Sequence, residues 1–183
     1  ATYSSTNEDF HYKIEPKFFY NKIDNLITLA EVSSGVYNNI NIGQYETIGG
    51  NFTLSFIAAN ISINTVFGIT GTLNDLHSET GTNKYNFANE LSINADYLIP
   101  FIDTRINVFY KYTGRVPAFA MIDNAAYEYF IEDYNMLDIN LSKTFCYYFD
   151  VQLGIKNLFD VNNITSSTVN SGATGHTVGG NSM

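Results

Sequence analysis

The residues of this chain able to do chemistry are few and scattered. Its three histidines are His11, His77 and His176, and its single cysteine is Cys146. No Ser/His/Asp or Cys/His set is suggested by these positions, and the glycines of 172–180 do not follow a strand and open a helix, so no phosphate-cradling loop is indicated. Catalysis is therefore not expected. His77 stands with Glu79 in a polar stretch, and an imidazole can ligate haem iron. Asp75, Asp123, Glu128, Glu132 and Asp133 are oxygen ligands of the calcium type, but without the regular spacing of a known calcium loop. Cys146 reads as a small apolar residue at a strand end, and one cysteine excludes an internal disulfide framework.

The elements that position these residues read as strands. Tyr and Phe number 14 each, Trp is absent and charged residues are 15%, well below the roughly 25% of ordinary soluble domains. Asn, Thr, aromatic and β-branched residues make a strand composition. Leu137, Ile139, Leu141 and Phe145 alternate with Asp138, Asn140, Ser142 and Thr144. The same period of two places Ile61, Ile63, Phe67 and Ile69 on one face, then Leu91, Ile93, Ala95 and Tyr97, then Ile106, Val108, Tyr110 and Tyr112, then Val151, Leu153 and Ile155. Such alternation marks a strand with one apolar face. The reading predicts strands over 11–31, 41–58, 60–71, 84–98, 104–115, 127–145 and 148–159, the first broken near Pro16 because proline donates no ladder hydrogen bond. No helix is predicted.

The connections carry more information than the strands. Ala59-Asn60, Ile99 to Asp103 and Cys146-Tyr147 are short; 32–40, 72–83, 116–126 and 160–183 are long and polar. Long and short alternate, so an antiparallel meander would put tight turns at one end and long loops at the other. That asymmetry is the pattern of a bacterial outer-membrane barrel. Aromatics gather towards both ends: Phe56, Tyr97, Phe101, Tyr147, Tyr148 and Phe149 at the tight-turn end, and Phe67, Tyr85, Phe87, Tyr110, Tyr112, Tyr129 and Phe159 towards the other. Amphipathic rings favour a boundary between apolar and wet surroundings. The fold class expected is all-β, an antiparallel meander forming about seven strands of a transmembrane β-barrel. A soluble β-sandwich binding glycan or protein also alternates, and a passive outer-membrane porin shares the barrel. The net charge of −9 with only nine dispersed Lys and Arg gives no basic footprint for nucleic acid.

Five stretches, in order, resemble one family. LGIKNLFDVNNI (153–164) looks like the penultimate-strand motif of TonB-dependent outer-membrane receptors. YKIEPKFFYNKIDNLITL (12–29) is similar to that family's long rising strand, and IGQYETIGGNFTLSF (42–56) to the falling strand after it. In the latter, Gly49-Gly50-Asn51 replaces the usual Gly-Val-Glu or Gly-Ala-Glu. VFYKYTGRVP (108–117) is similar to the Tyr-Thr-Gly-Arg strand end, and MLDINLSKTF (136–145) to the next strand. The loop around Gly175-His176 and Gly179-Gly180 resembles receptors of the Bacteroidetes type. The resemblance implies that residues 1–183 are a near-C-terminal piece of a 22-stranded barrel, without the plug domain and the last strand. Residues 160–183 would be a long extracellular loop. It implies a receptor in the bacterial outer membrane, importing a scarce nutrient with energy from the TonB complex. Its partners would be lipid, the plug and the remaining strands. Ferric siderophore, haem, cobalamin or glycan would be cargo, with no resident cofactor and no nucleic acid. Loops 72–83, 116–126 and 160–183 would form the outer part of the cargo site, with His77, Glu79, Asp123, Tyr127 and His176 as candidate ligand-binding residues. Arg115 is expected at an interface or lumen rim.

Overall fold

The computed structural model describes residues 2–6, 10–33, 36–74, 85–122, 125–145, 148–162 and 166–167. They form two sheets and no helix. The larger sheet has eight strands: β1 (Tyr3–Thr6), β2 (Phe10–Ile23), β5 (Tyr45–Ala58), β6 (Ile61–Asn74), β7 (Asn86–Ile99), β8 (Thr104–Thr113), β11 (Tyr134–Phe145) and β12 (Phe149–Ile155), hydrogen-bonded in that order. From β2 to β12 every neighbour is antiparallel. The smaller sheet, in the order β13 (Ser166–Ser167), β10 (Ala125–Ile131), β9 (Val116–Ile122), β3 (Ile27–Ser33) and β4 (Val36–Asn41), stands at the end opposite the tight turns. Neither sheet closes on itself.

The register of the large sheet aligns the apolar positions of all its long strands. One row across it reads Phe10, Ala58, Ile61, Tyr97, Ile106, Leu141, Leu153. Two residues along, the row is Tyr12, Phe56, Ile63, Ala95, Val108, Ile139, Ile155. The row between them, pointing the other way, is His11, Ile57, Ser62, Asp96, Asn107, Asn140, Gly154. One face is thus almost wholly apolar and the other mainly polar. No layer covers the apolar face: Phe18 is 87% exposed and Leu153 66%, and no large described side chain is fully buried. The buried apolar residues among those described are Ala30 and Ile42, at the junction with the small sheet.

The apolar band has ends. It runs to the row Tyr20, Ile48, Gly71, Phe87. The next row on this face begins Lys22, Glu46, whose charges meet at 3.3 Å. Tyr85 Oη donates to Glu46 at 2.9 Å. That hydrogen bond, together with Lys22, holds the Glu46 carboxyl below the usual range against a smaller opposing effect of burial. At the other end Phe10 lies 6.2 Å from Tyr12 and 6.4 Å from Phe56, ring centre to ring centre. The Lys143 ammonium sits 5.0 Å from the Phe145 ring. The polar face carries cross-strand hydrogen bonds instead. Asn107 donates to Asn94 (2.9 Å) and Asp96 (3.2 Å), and Ser55 donates to Asn64 (2.8 Å). Glu15 lies between Lys13 and Lys17 at 2.8 and 3.1 Å.

Several strand limits differ from those expected, each for a local reason. Pro16 does not break the first strand; it pairs with Phe52 inside a continuous β2. β1 covers β2 only as far as Ile14, so beyond it β2 has one described neighbour and fewer donors in use. The break comes at Asp24-Asn25-Leu26, where Asn25 takes a left-handed φ of 58°, a conformation Asn tolerates better than most residues. Leu26 then exchanges backbone hydrogen bonds with Ile42 and Gly43, which hold together the root of the β3–β4 hairpin. The segments 32–40 and 116–126 are not simple loops: they lie largely within hairpins β3–β4 and β9–β10. The strand expected over 148–159 stops at Ile155. Asn157, with φ 54°, donates its backbone N–H to the Asp138 carboxylate (2.7 Å), while its side chain bonds both backbone groups of Val161. The Asn-Leu-Phe-Asp string is therefore a side-chain-closed turn. Strand lengths reach 14 residues: the strands expected over 11–31 and 127–145 are divided into β2 and β3 and into β10 and β11, and β1 is an unforeseen eighth strand of the large sheet. The tight turns at Ala59-Asn60 and Pro100–Asp103 are as expected. Cys146 and Tyr147 lie outside the described residues, and Tyr148 N–H donates to Phe145 O across them at 3.0 Å.

Gly49 and Gly71 test how tightly the wall is built. A methyl group at Gly49 would strike the Ile69 backbone carbonyl, whereas at Gly71 it would meet the Phe87 ring at 2.6 Å. Backbone cannot step aside, but the 60%-exposed Phe87 ring can rotate. Gly49→Ala is expected to cost about 1–3 kcal/mol, and Gly71→Ala clearly less. Denaturant midpoints of the two variants check this order.

Candidate functional site

The small sheet forms because two hairpins from separate connections meet. β3–β4 leaves between β2 and β5, and β9–β10 leaves between β8 and β11. They join through a parallel contact between β3 and β9, with Glu31 opposite Ala120. Ala30, wholly buried, permits the close approach. Gly114 N–H donates to Asn89 O at 2.8 Å where β8 gives way to β9. Arg115 then pairs with Glu132 at 3.0 Å and lies 4.9 Å from the Phe130 ring, tying the two feet of the β9–β10 hairpin. Arg115 is thus a hairpin-root charge.

This sheet lies on the polar side of the large one. Val116 and Pro117 line a cavity of about 320 Å³ with Gly68, Thr70, Thr72, Ala88 and Glu90, all on the polar face. Glu128 of β10 accepts from Asn74 Nδ2 at 3.0 Å and from Asn86 Nδ2 at 3.4 Å. Asn74 ends β6 and Asn86 begins β7, so one carboxylate clamps both strands at the root of the 75–84 connection. Asn74 is almost fully buried, where a hydrogen bond to a charged group is worth more than one in water. Tyr45, half-buried, is raised above its ordinary 10.0 by burial and then by the Glu128 charge.

Strand alternation turns Tyr127 and Tyr129 to the face opposite Glu128. A row across that face reads Tyr37, Glu31, Ala120, Tyr127, and Tyr129 stands opposite Ala118. Burial, then Glu31, then Tyr37 push the Tyr129 hydroxyl above 10.0. The face is therefore an aromatic and carboxylate surface with an alanine floor, pointing away from the wall.

Of the candidate ligand-binding residues read from the sequence, Tyr127 alone falls within this face. His77, Glu79, Asp123 and His176, as well as Asp75, lie outside the described residues. His11 is in β2, bonded to Thr6 at 2.7 Å near the tight-turn end, far in the chain from this face. Glu128 and Glu132 serve hairpin anchoring, and among the described residues no group of three or more His, Cys, Asp or Glu is placed to hold a metal ion. Glu31 and Tyr37 were missed because they belong to a different hairpin. The alternation in Tyr127-Glu128-Tyr129 was the available signal for opposite faces. No protein-family model, curated protein or solved structure matches the chain.

Two outcomes follow from this geometry. Glu128→Ala removes the shared acceptor and should cost about 1–3 kcal/mol, with Glu128→Gln milder; amide exchange at 72–74 and 86–88 should quicken in that order. Fluorine NMR of a fluorotyrosine at position 129 should report titration above that of a fluorotyrosine in an unfolded peptide. Glu31→Gln should lower that value only partly, because burial is the larger cause.

Proposed function

We propose that this chain is part of the wall of a TonB-dependent receptor in the bacterial outer membrane, a transporter that imports a scarce nutrient and not an enzyme. The observation that carries the reading is the uncovered apolar face of the large sheet, backed by a polar face. From strand spacing and rise, seven strands with this band present on the order of 1,000 Å² of apolar surface. The largest such patch on a typical soluble monomer is about 300–600 Å². A β-sandwich would bury that face under a second sheet; here the second sheet sits on the polar side instead.

The dimensions support a bilayer. Phe10 to Tyr20 is a rise of about 33 Å along the strand, or about 25 Å along the normal at the usual barrel tilt, the height of an outer-membrane apolar band. The Lys22–Glu46 pair then stands just beyond that band, and rings cluster at both of its ends. Both sheet edges are open among the described residues, and lipid satisfies no backbone group. Further strands of a barrel of about 22 would close the wall, with the plug inside and the TonB complex supplying energy. The motifs of residues 12–29, 42–56, 108–117, 136–145 and 153–164 favour the energised receptor over a passive porin. The small sheet would lie at the outward end, over the lumen, where cargo arrives.

Spin labels placed singly along Ile61–Thr70 of the full-length protein in bilayers test the reading. Positions 61, 63, 65, 67 and 69 should be accessible to lipid-soluble oxygen, and 62, 64, 66, 68 and 70 to a water-soluble relaxing agent. Low accessibility to both reagents at the odd positions would mean a buried sandwich core and sink the proposal.

A further inference from the structure

The turn that follows β12 meets β8 and β11 around an open cavity of about 700 Å³. Ligand pockets are commonly about 300–1,000 Å³. Its lining joins the rings of Tyr110, Tyr134 and Phe159 with the amides of Asn135 and Asn162 and the Asp160 carboxylate. The polar groups are already ordered. Tyr110 Oη donates to Asn135 Oδ1 at 2.6 Å, and Asn162 Nδ2 donates to Asp160 Oδ1 at 2.6 Å. The turn is tied to itself and to the neighbouring strand: Asp160 N–H donates to Asn157 O, and Leu158 N–H to Leu137 O, each at 2.8 Å. These bonds hold Asp160 at its left-handed φ of 53°. Groups fixed before a ligand arrives lose little freedom on binding it.

We propose that this cavity binds a neutral saccharide unit. A pyranose has a C–H face that packs on an aromatic ring and a rim of hydroxyls that both donate and accept. Rings and planar amides are the matching surfaces, and the cavity brings both together. No Lys, Arg or His lines it, so a phosphorylated or carboxylated sugar would meet no countercharge. Asp160 serves as a hydrogen-bond acceptor already shared with Asn162, so recognition needs no unpaired charge. Tyr110 stands opposite Ile93 and Leu137, and Asn135 opposite Tyr112, so both belong to the apolar face by register. Two sources offer such a unit: a free glycan, and a glycolipid headgroup, which on the barrel reading lies against that same face. The cavity itself does not rest on the barrel reading.

The full-length protein in amine-oxide micelles, which carry no sugar, is titrated with cellotriose by ligand-observed NMR. The control is sorbitol, an acyclic polyol with hydroxyls but no ring face. Cellotriose should bind at least about tenfold tighter than sorbitol. Phe159→Ala and Asn135→Ala should each weaken cellotriose about fivefold. Phe159 is 53% exposed, so its truncation empties the cavity wall and not a core. Phe159→Tyr keeps the ring and should keep most of the affinity. Asp160→Asn keeps the acceptor without the charge and should stay within about twofold; a tenfold loss there would mean a charge-driven site and overturn the proposal. Equal binding of the two probes, no cellotriose binding, or binding unchanged in Phe159→Ala overturns it as well. Nanodiscs with and without a neutral glucosyl diacylglycerol then separate the sources. Competition by that lipid supports a headgroup as the occupant, and undiminished cellotriose binding supports a free glycan.

Discussion

The antiparallel register from β2 to β12 is the constraint on which the rest of the structure depends. Each ladder fixes which residue faces which, and side chains alternate strictly along a strand. A slip of one residue in any strand would send its apolar set to the polar face. Here the ladders agree over seven strands, so Phe10 and Leu153 end the same apolar row, though they are far apart in the chain. The result is a wall with two chemistries. One face is apolar but for isolated residues such as Thr65 and Asn89. The other carries cross-strand hydrogen bonds, Ser55 to Asn64 and Asn107 to Asn94 and Asp96.

The departures from that register are equally local in origin. Asn25 and Asn157 adopt left-handed φ, and each stops a strand that side-chain periodicity alone would continue. At Asn157 the stop is secured by Asp138 of the neighbouring strand and by two bonds to Val161. At Asn25 it releases the chain into β3. The end opposite the tight turns is therefore built as a second sheet. Its position over the polar face is held by Glu128, which reaches both sides of the 75–84 root. Because residues 127 to 129 alternate, the same strand that anchors to the wall displays Tyr127 and Tyr129 on the opposite surface. Anchoring and display use opposite faces of one short strand, which links the stability of the roof to the geometry of the surface it presents.

What the sequence determined by itself was the strand period, the tight turns at Ala59-Asn60 and Ile99 to Asp103, and the apolar set of each strand. These are properties of neighbours along the chain: alternation needs only residues i and i+2, and turns need only a few consecutive residues. Tyr127 was identified, but not the face it would share. The strand ends at Ile23 and Ile155 were hidden because the residues closing them, Gly43 and Asp138, lie elsewhere in the sequence. The tertiary structure alone decided that 32–40 and 116–126 pair into one sheet, that Glu128 reaches Asn74 and Asn86, and that Tyr37 and Glu31 join Tyr127. Each of these contacts spans tens of residues and depends on which strand lies beside which, and a one-dimensional period carries no information about that choice.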